Sequence, residues 1–266
     1  MRIENENEKV KILAIGDVTS RGGIEHLQKN LWRVRSENKI DFCVVNGENA
    51  SFISGISPES AEILLRSGAD AITGGNHTMH NRQCYTFMDE HGEMLRPINF
   101  GGSAPGRGAS LIDCSGRRVL VINALGNVHI EPCLDNPYKY IDAALAENAG
   151  KYDISILDFH AEATGEKLAL AHEYDGKINV IFGTHTHVPT ADTEILPNGT
   201  GYVSDLGMCG ESGGILGMDK NIVRERMKTR LPIHFAPANG PCQADGVIFT
   251  VDEKSGRTTE VLRIKF

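Results

Sequence analysis

The chain has 266 residues, 27 of them basic and 35 acidic, for a formal net charge of −8. Apolar residues at 40% and charged residues at 23% supply a core and exclude wholesale disorder. The acidic balance, with only 6% aromatic residues, argues against a general nucleic-acid-binding surface. Residues 1–9 read as a charged N-terminal tail and 10–266 as a single domain. Residues 10–15, rich in β-branched side chains, predict the first strand. Residues 23–38 place Leu27, Leu31 and Val34 at helical spacing, and 42–46 predict a second strand. Ser57-Pro58-Glu59 combines an N-cap, a first-turn proline and an acidic first turn, opening a helix that stops at Gly68. A third strand at 70–73 precedes a helix near 80–91. Strands 109–114 and 118–123 flank the turn Ser115-Gly116. A helix near 138–149 follows, then strands 153–157 and 177–182 around a helix through 168–174. The remainder mixes short strands with a helix near 219–228 and ends in strands 245–251 and 258–264. These apolar runs alone predict one α/β domain with a mixed sheet.

No run reaches the roughly 18–20 apolar residues of a membrane span, and the start has no signal-peptide character, so a cytoplasmic location is expected. Six cysteines without a CxxC pair predict reduced thiols.

Five predicted strands end in short polar clusters: Gly16-Asp17, Gly47-Glu48-Asn49, Gly74-Gly75-Asn76-His77, Asp158-Phe159-His160 and Gly183-Thr184-His185-Thr186-His187. Ligand sites of open α/β sheets lie at carboxyl ends of strands, so five parallel neighbours would bring these clusters to one rim. Carboxylate (Asp17, Glu48), amide oxygen (Asn49, Asn76) and imidazole (His160, His185, His187), with no cysteine, suit iron, manganese, zinc or cobalt. Seven ligand residues exceed the needs of one ion and fit two, which together clamp a phosphoryl group. His185 and His187, two apart, would face the same way in an extended segment.

Gly16-Asp17, Gly75-Asn76-His77 and Gly183-Thr184-His185-Thr186-His187 resemble blocks of the calcineurin-like metallophosphoesterases. The fuller strings VNGENA (45–50), GADAITGGNHT (68–78), HAEATGEKLAL (160–170) and GTHTHVPTAD (183–192) are similar to the YmdB-like branch of that superfamily. The resemblance implies a two-sheet β-sandwich flanked by helices, with a dinuclear site in which iron is favoured and manganese or zinc would share the ligands. It implies one metal held by Asp17, Glu48, Asn49 and His187, and the other by Glu48, Asn76, His160 and His185, with Glu48 bridging. A water or hydroxide between the ions would attack, and His77 would be the general acid. The implied activity is hydrolysis of small phosphodiesters, 2′,3′-cyclic nucleotides among them. A phosphomonoesterase or nucleotidase on the same site, and a metal-containing nucleotide sensor with little catalysis, are the alternatives. A homo-oligomer is expected by analogy.

The chain departs from the branch's usual residues at Thr19 and Ser20, at Met79 and His80, and at Asn127. These departures bear on substrate fit rather than on metal binding. Ser20 and Arg21 are candidates to approach a phosphate, and Asp205 is a candidate to support a ligand histidine. Glu162 and Thr164 are read as orienting His160, contacting substrate or capping a helix.

Overall fold

Strands buried on both faces need cover from two directions. Residues 12–15, 42–46 and 119–125 are each buried without interruption. The computed structural model, which describes residues 9–51 and 55–266, covers these strands with four layers. The chain forms β1 (Lys9–Ile15), β2 (Asp17–Val18), α1 (Arg21–Asn38), β3 (Phe42–Asn46), α2 (Pro58–Arg66), β4 (Ala71–Thr73) and α3 (Cys84–Glu90). It continues with β5 (Ala109–Cys114), β6 (Arg117–Leu125), α4 (Pro137–Glu147), β7 (Ile154–His160), α5 (Thr164–Glu173) and β8 (Val180–Thr184). Then come β9 (Glu194–Ile195), β10 (Gly201–Val203), β11 (Met208–Glu211), α6 (Lys220–Thr229), β12 (Cys242–Asp252) and β13 (Thr258–Lys265). Residues 1–8, most of the expected tail, lie outside the described residues.

One sheet has the order β2-β11-β12-β1-β3-β4, with β13 paired to β12; the other has the order β5-β6-β7-β8-β10-β9. Between them Val10, Ile12, Phe42 and Val44 join Val121, Ile156, Val180 and Phe182 in one buried cluster. Alternate residues of the same strands point outward. Leu13, Ile15 and Val45 pack with Leu27 and Leu31 of α1 and Leu64 of α2, while Ile122, Leu157 and Ile181 pack with Ile141 of α4 and Leu170 of α5. The fold is thus the two-sheet α/β sandwich flanked by helices.

The single mixed sheet predicted from the apolar runs is corrected. Strands β1, β3 and β4 run parallel in one sheet, and β6, β7, β8 and β10 run parallel in the other. The first three polar clusters therefore come from one sheet and the last two from the second. The expected helix over 80–91 is also corrected. A 3-10 turn at Thr78–His80 stops at extended Asn81, whose Oδ1 accepts the Gln83 N–H, and α3 starts afresh at Cys84. The α2 start is as expected: Ser57 Oγ accepts from the Ser60 N–H, with Pro58 in the first turn. All six cysteines are free thiols. Among the described residues no helix is long and apolar enough to cross a membrane.

Candidate metal centre

A buried polar clasp joins the two sheets beneath the strand ends. Asp158 of β7 accepts hydrogen bonds from Asn46 Nδ2 at 2.9 Å, Thr73 Oγ1 at 2.5 Å and Thr184 Oγ1 at 2.7 Å. Asn46 and Thr73 belong to one sheet, Asp158 and Thr184 to the other. Asn123 of β6 adds a second tie: its Oδ1 accepts the Gly74 N–H at 3.0 Å, and its Nδ2 donates to the Gly74 carbonyl at 3.1 Å. Burial pushes the Asp158 carboxyl up to about 6, against the opposing pull of His160 and the three donors. Nothing in the strand pattern singled out Asn123 or Thr73.

Above the clasp, the predicted ligands meet. His160 Nε2 lies 3.1 Å from Asn76 Oδ1, 3.4 Å from Glu48 Oε1 and 3.1 Å from His185 Nδ1. The Asn49 amide lies between Glu48 Oε1, at 2.7 Å, and His187 Nε2, at 3.4 Å. Asp17 Oδ1 is 3.8 Å from both His187 Nε2 and His160 Nδ1. The seven side chains thus form one continuous cluster, in which Glu48 lies beside both Asn49 and His160 and Asp17 beside both His160 and His187.

The hydrogen bonds also set which imidazole nitrogen faces the centre. Thr184 Oγ1 donates to Asp158, so it accepts from His160 Nδ1 at 2.8 Å and leaves Nε2 toward Glu48. His185 Nε2 lies 3.1 Å from the Glu162 carboxylate, which leaves its Nδ1 toward His160. Glu162 therefore orients His185, not His160. Neither it nor Thr164 caps α5, whose N-cap is Ala163 without a side-chain bond. Glu162 is half exposed. Its replacement by alanine is expected to leave the fold intact and weaken metal retention about 10–100-fold, read by competition with a chelator.

The expected extended geometry of His185 and His187 is corrected. Both have left-handed φ, 106° and 62°, so the chain coils between them. Lys167 and Asp205 hold that coil. Asp205 Oδ2 accepts the Thr186 N–H at 3.0 Å and the Lys167 ammonium at 2.8 Å, and Lys167 also donates to the Thr184 carbonyl at 2.9 Å. Asp205 thus supports the backbone between the two histidines rather than an imidazole. Lys167 was legible in one respect: a lysine shares the helical stripe with Leu170 and Ala171, where an apolar residue is the default.

Charge explains what the centre needs. Asp17 and His160 are wholly inaccessible and Glu48 is 1% exposed. Burial raises the Asp17 carboxyl above its usual range. Burial opposes ionisation of Glu48 too, but His160 and the His77 N–H hold it well below the usual carboxylate range. Burial opposes a charged His160, yet Glu48, Asp17 and Asp158 raise it to about 9. Burial and the neighbouring His160 push His185 down to about 3. Asp17 Oδ1 is buried with no hydrogen-bond partner among the described residues. An orphaned carboxylate oxygen between imidazole nitrogens is an unmet acceptor that a cation satisfies. Glu48, His160 and His185 offer ligand atoms all within 4.8 Å of one another, and the donor set fits metal ions.

Gly75 lets the loop pass this close. A Cβ there would lie 2.2 Å from Glu48 Oε2 and 2.4 Å from His160 Nε2. Gly75→Ala is expected to displace one of them, lowering metal retention by about 10–100-fold while circular dichroism is preserved. His77 follows. Its backbone N–H donates to Glu48 Oε2 at 3.0 Å, and its ring stacks on His80 with centroids 5.0 Å apart. Burial lowers its pKa below the ordinary imidazole value. Ser20 and Arg21 are engaged elsewhere. Ser20 caps α1 and donates to Glu211 at 2.8 Å, and solvent-exposed Arg21 pairs with Glu25.

Two sheets whose strand ends gather carboxylates, asparagine amides and histidines define a metallophosphoesterase, a hydrolase class. Within it, the YmdB-like protein family matches residues 13–264, and the chain belongs to that family. It is 40% identical over 255 residues to the 2′,3′-cyclic-nucleotide 2′-phosphodiesterase of Bacillus subtilis (strain 168), covering 96% of both chains. Two crystal structures superpose with a TM-score of 0.89. One is a phosphatase from Mycoplasma pneumoniae, 31% identical, covering 97% of this chain and 93% of that one. The other is a hypothetical protein from Thermus thermophilus, 32% identical, covering 97% and 99%.

Proposed function

We propose that the protein is a dinuclear metal-dependent phosphodiesterase that hydrolyses small phosphodiesters, with 2′,3′-cyclic nucleotides such as 2′,3′-cyclic AMP as the substrate class. The observation that carries this reading is the buried Asp17 Oδ1, without a hydrogen-bond partner among the described residues, in a cluster where Glu48 lies beside both Asn49 and His160. Asp17, Glu48, Asn49 and His187 would hold one ion; Glu48, Asn76, His160 and His185 would hold the other. Iron fits this mixed carboxylate, amide and imidazole set, which manganese and zinc also accept. Bound there, two cations supply Lewis-acid polarisation of the phosphoryl oxygens and a lowered pKa for an attacking water. The 40% identical relative, named for 2′,3′-cyclic nucleotides, supports the substrate class.

The chain's own residues orient and exclude. The clasp around Asp158 fixes His160, and the Glu162 contact fixes His185, so little rearrangement accompanies the chemistry. His77 stands beside Glu48 on the wall of a cleft and is suited to hold the proton for the leaving oxygen. A phosphodiester anion nearby favours its charged form, against the lowering by burial. The purified, metal-reconstituted protein is expected to hydrolyse 2′,3′-cyclic AMP with a larger kcat/KM than the 2′- or 3′-monophosphate. A preference for the monoester would replace this reading with that of a phosphomonoesterase.

A further inference from the structure

Beyond His77, a cleft of about 510 Å³ opens from Asn76, lined by Met79, His80, Phe100 and Glu131. The volume lies in the range of small-molecule sites. If His77 protonates the leaving oxygen, it stands on the side of that oxygen. In a 2′,3′-cyclic nucleotide the leaving oxygen is a ribose oxygen, so the nucleoside must extend past His77 into this cleft. The inference rests on the functional reading above.

The lining suits a base. Phe100 and Met79 are half-buried and present a ring and a polarizable thioether, and His80 stacks its exposed ring on His77 at an interplanar angle of 28°. Glu131 is exposed and brings an acceptor-only carboxylate from the loop after β6. Asn127 shapes that loop: its Oδ1 accepts the Leu134 N–H at 3.0 Å, and its Nδ2 donates to the Asp135 carbonyl at 3.3 Å. Three of the five positions where this chain departs from the branch pattern, 79, 80 and 127, thus line or shape one cleft. Thr19 and Ser20, by contrast, are buried near β11.

We propose that this cleft is the nucleobase subsite, with Phe100, Met79 and His80 as the stacking surface and Glu131 as acceptor for an exocyclic amino group. Base–aromatic stacking predicts that the reconstituted protein favours 2′,3′-cyclic AMP over the base-free methyl riboside 2′,3′-cyclic phosphate by about tenfold or more in kcat/KM. Phe100→Ala is expected to cut that ratio about tenfold, mainly through KM. His80→Ala, at an exposed position that does not threaten the fold, is expected to cut it about threefold. Glu131→Ala is expected to lower the preference for 2′,3′-cyclic AMP over 2′,3′-cyclic UMP about threefold or more. Equal turnover of nucleotide and base-free diester, or ratios unmoved by Phe100→Ala and His80→Ala, would overturn the subsite alone. Absence of turnover of every diester by the metal-loaded protein would overturn the functional reading, and the subsite with it.

Discussion

Replacing His77 with alanine is expected to lower turnover of diesters with alkoxide leaving groups by about 10²–10⁴-fold while metal content is retained. The separation arises because His77 meets the centre in two ways. Its backbone N–H donates to Glu48 Oε2, a bond that alanine keeps; its ring lines the cleft, which alanine vacates. A 4-nitrophenolate leaving group needs little proton assistance, so the same variant should lose far less on a nitrophenyl diester. Metal analysis and the two rates, run side by side, check this. Loss of metal together with activity would place the His77 ring in the metal site instead.

The second large effect lies away from the reacting atoms. Lys167→Met is expected to destabilise the protein by about 3–5 kcal/mol, because it leaves Asp205 charged and buried without its partner. Lys167 and Asp205 are each about 1% exposed and lie 2.8 Å apart. The Asp205 carboxylate also holds the Thr186 N–H, so its displacement lets the left-handed coil at His185 and His187 relax. Urea unfolding measures the loss. The double variant Lys167→Met/Asp205→Asn, which removes the uncompensated charge, is expected to regain part of the stability without regaining full metal retention. A single-variant cost below about 1 kcal/mol would show that the pair does not hold this turn.

How far the site was legible follows from which residues act locally. A polar cluster after each of five apolar runs, four of them with a glycine, marked the seven candidate ligands, because a strand end both stops the apolar pattern and brings side chains to one rim. Ser57-Pro58-Glu59 marked the α2 start for a similarly local reason. Sheet membership was not legible in periodicity. The inner strands β3, β7 and β8 are covered on both faces, so their runs lack a polar alternation, and the antiparallel pairing of β1 with β12 joins residues more than 200 positions apart. The apolar run predicts that strand β7 ends at 157, before the polar Asp158. It continues to His160 because Asn46 and Thr73 from the other sheet and Thr184 from the neighbouring strand satisfy that carboxylate. The coil at 185–187 depends on Asp205 and Lys167, and the orientation of His185 on Glu162, all supplied by other segments.

We propose that this acidic chain assembles a buried centre for two cations that hydrolyses cyclic phosphodiesters. The most direct measurement strips the purified protein with chelator, reconstitutes it with iron or manganese, and follows bound metal and 2′,3′-cyclic AMP hydrolysis in the same samples. Activity is expected to be lost on stripping and to return in step with metal, reaching its plateau near two ions per chain. Hydrolysis that survives complete stripping, or a reconstituted protein that binds fewer than about one ion per chain and turns nothing over, would contradict it.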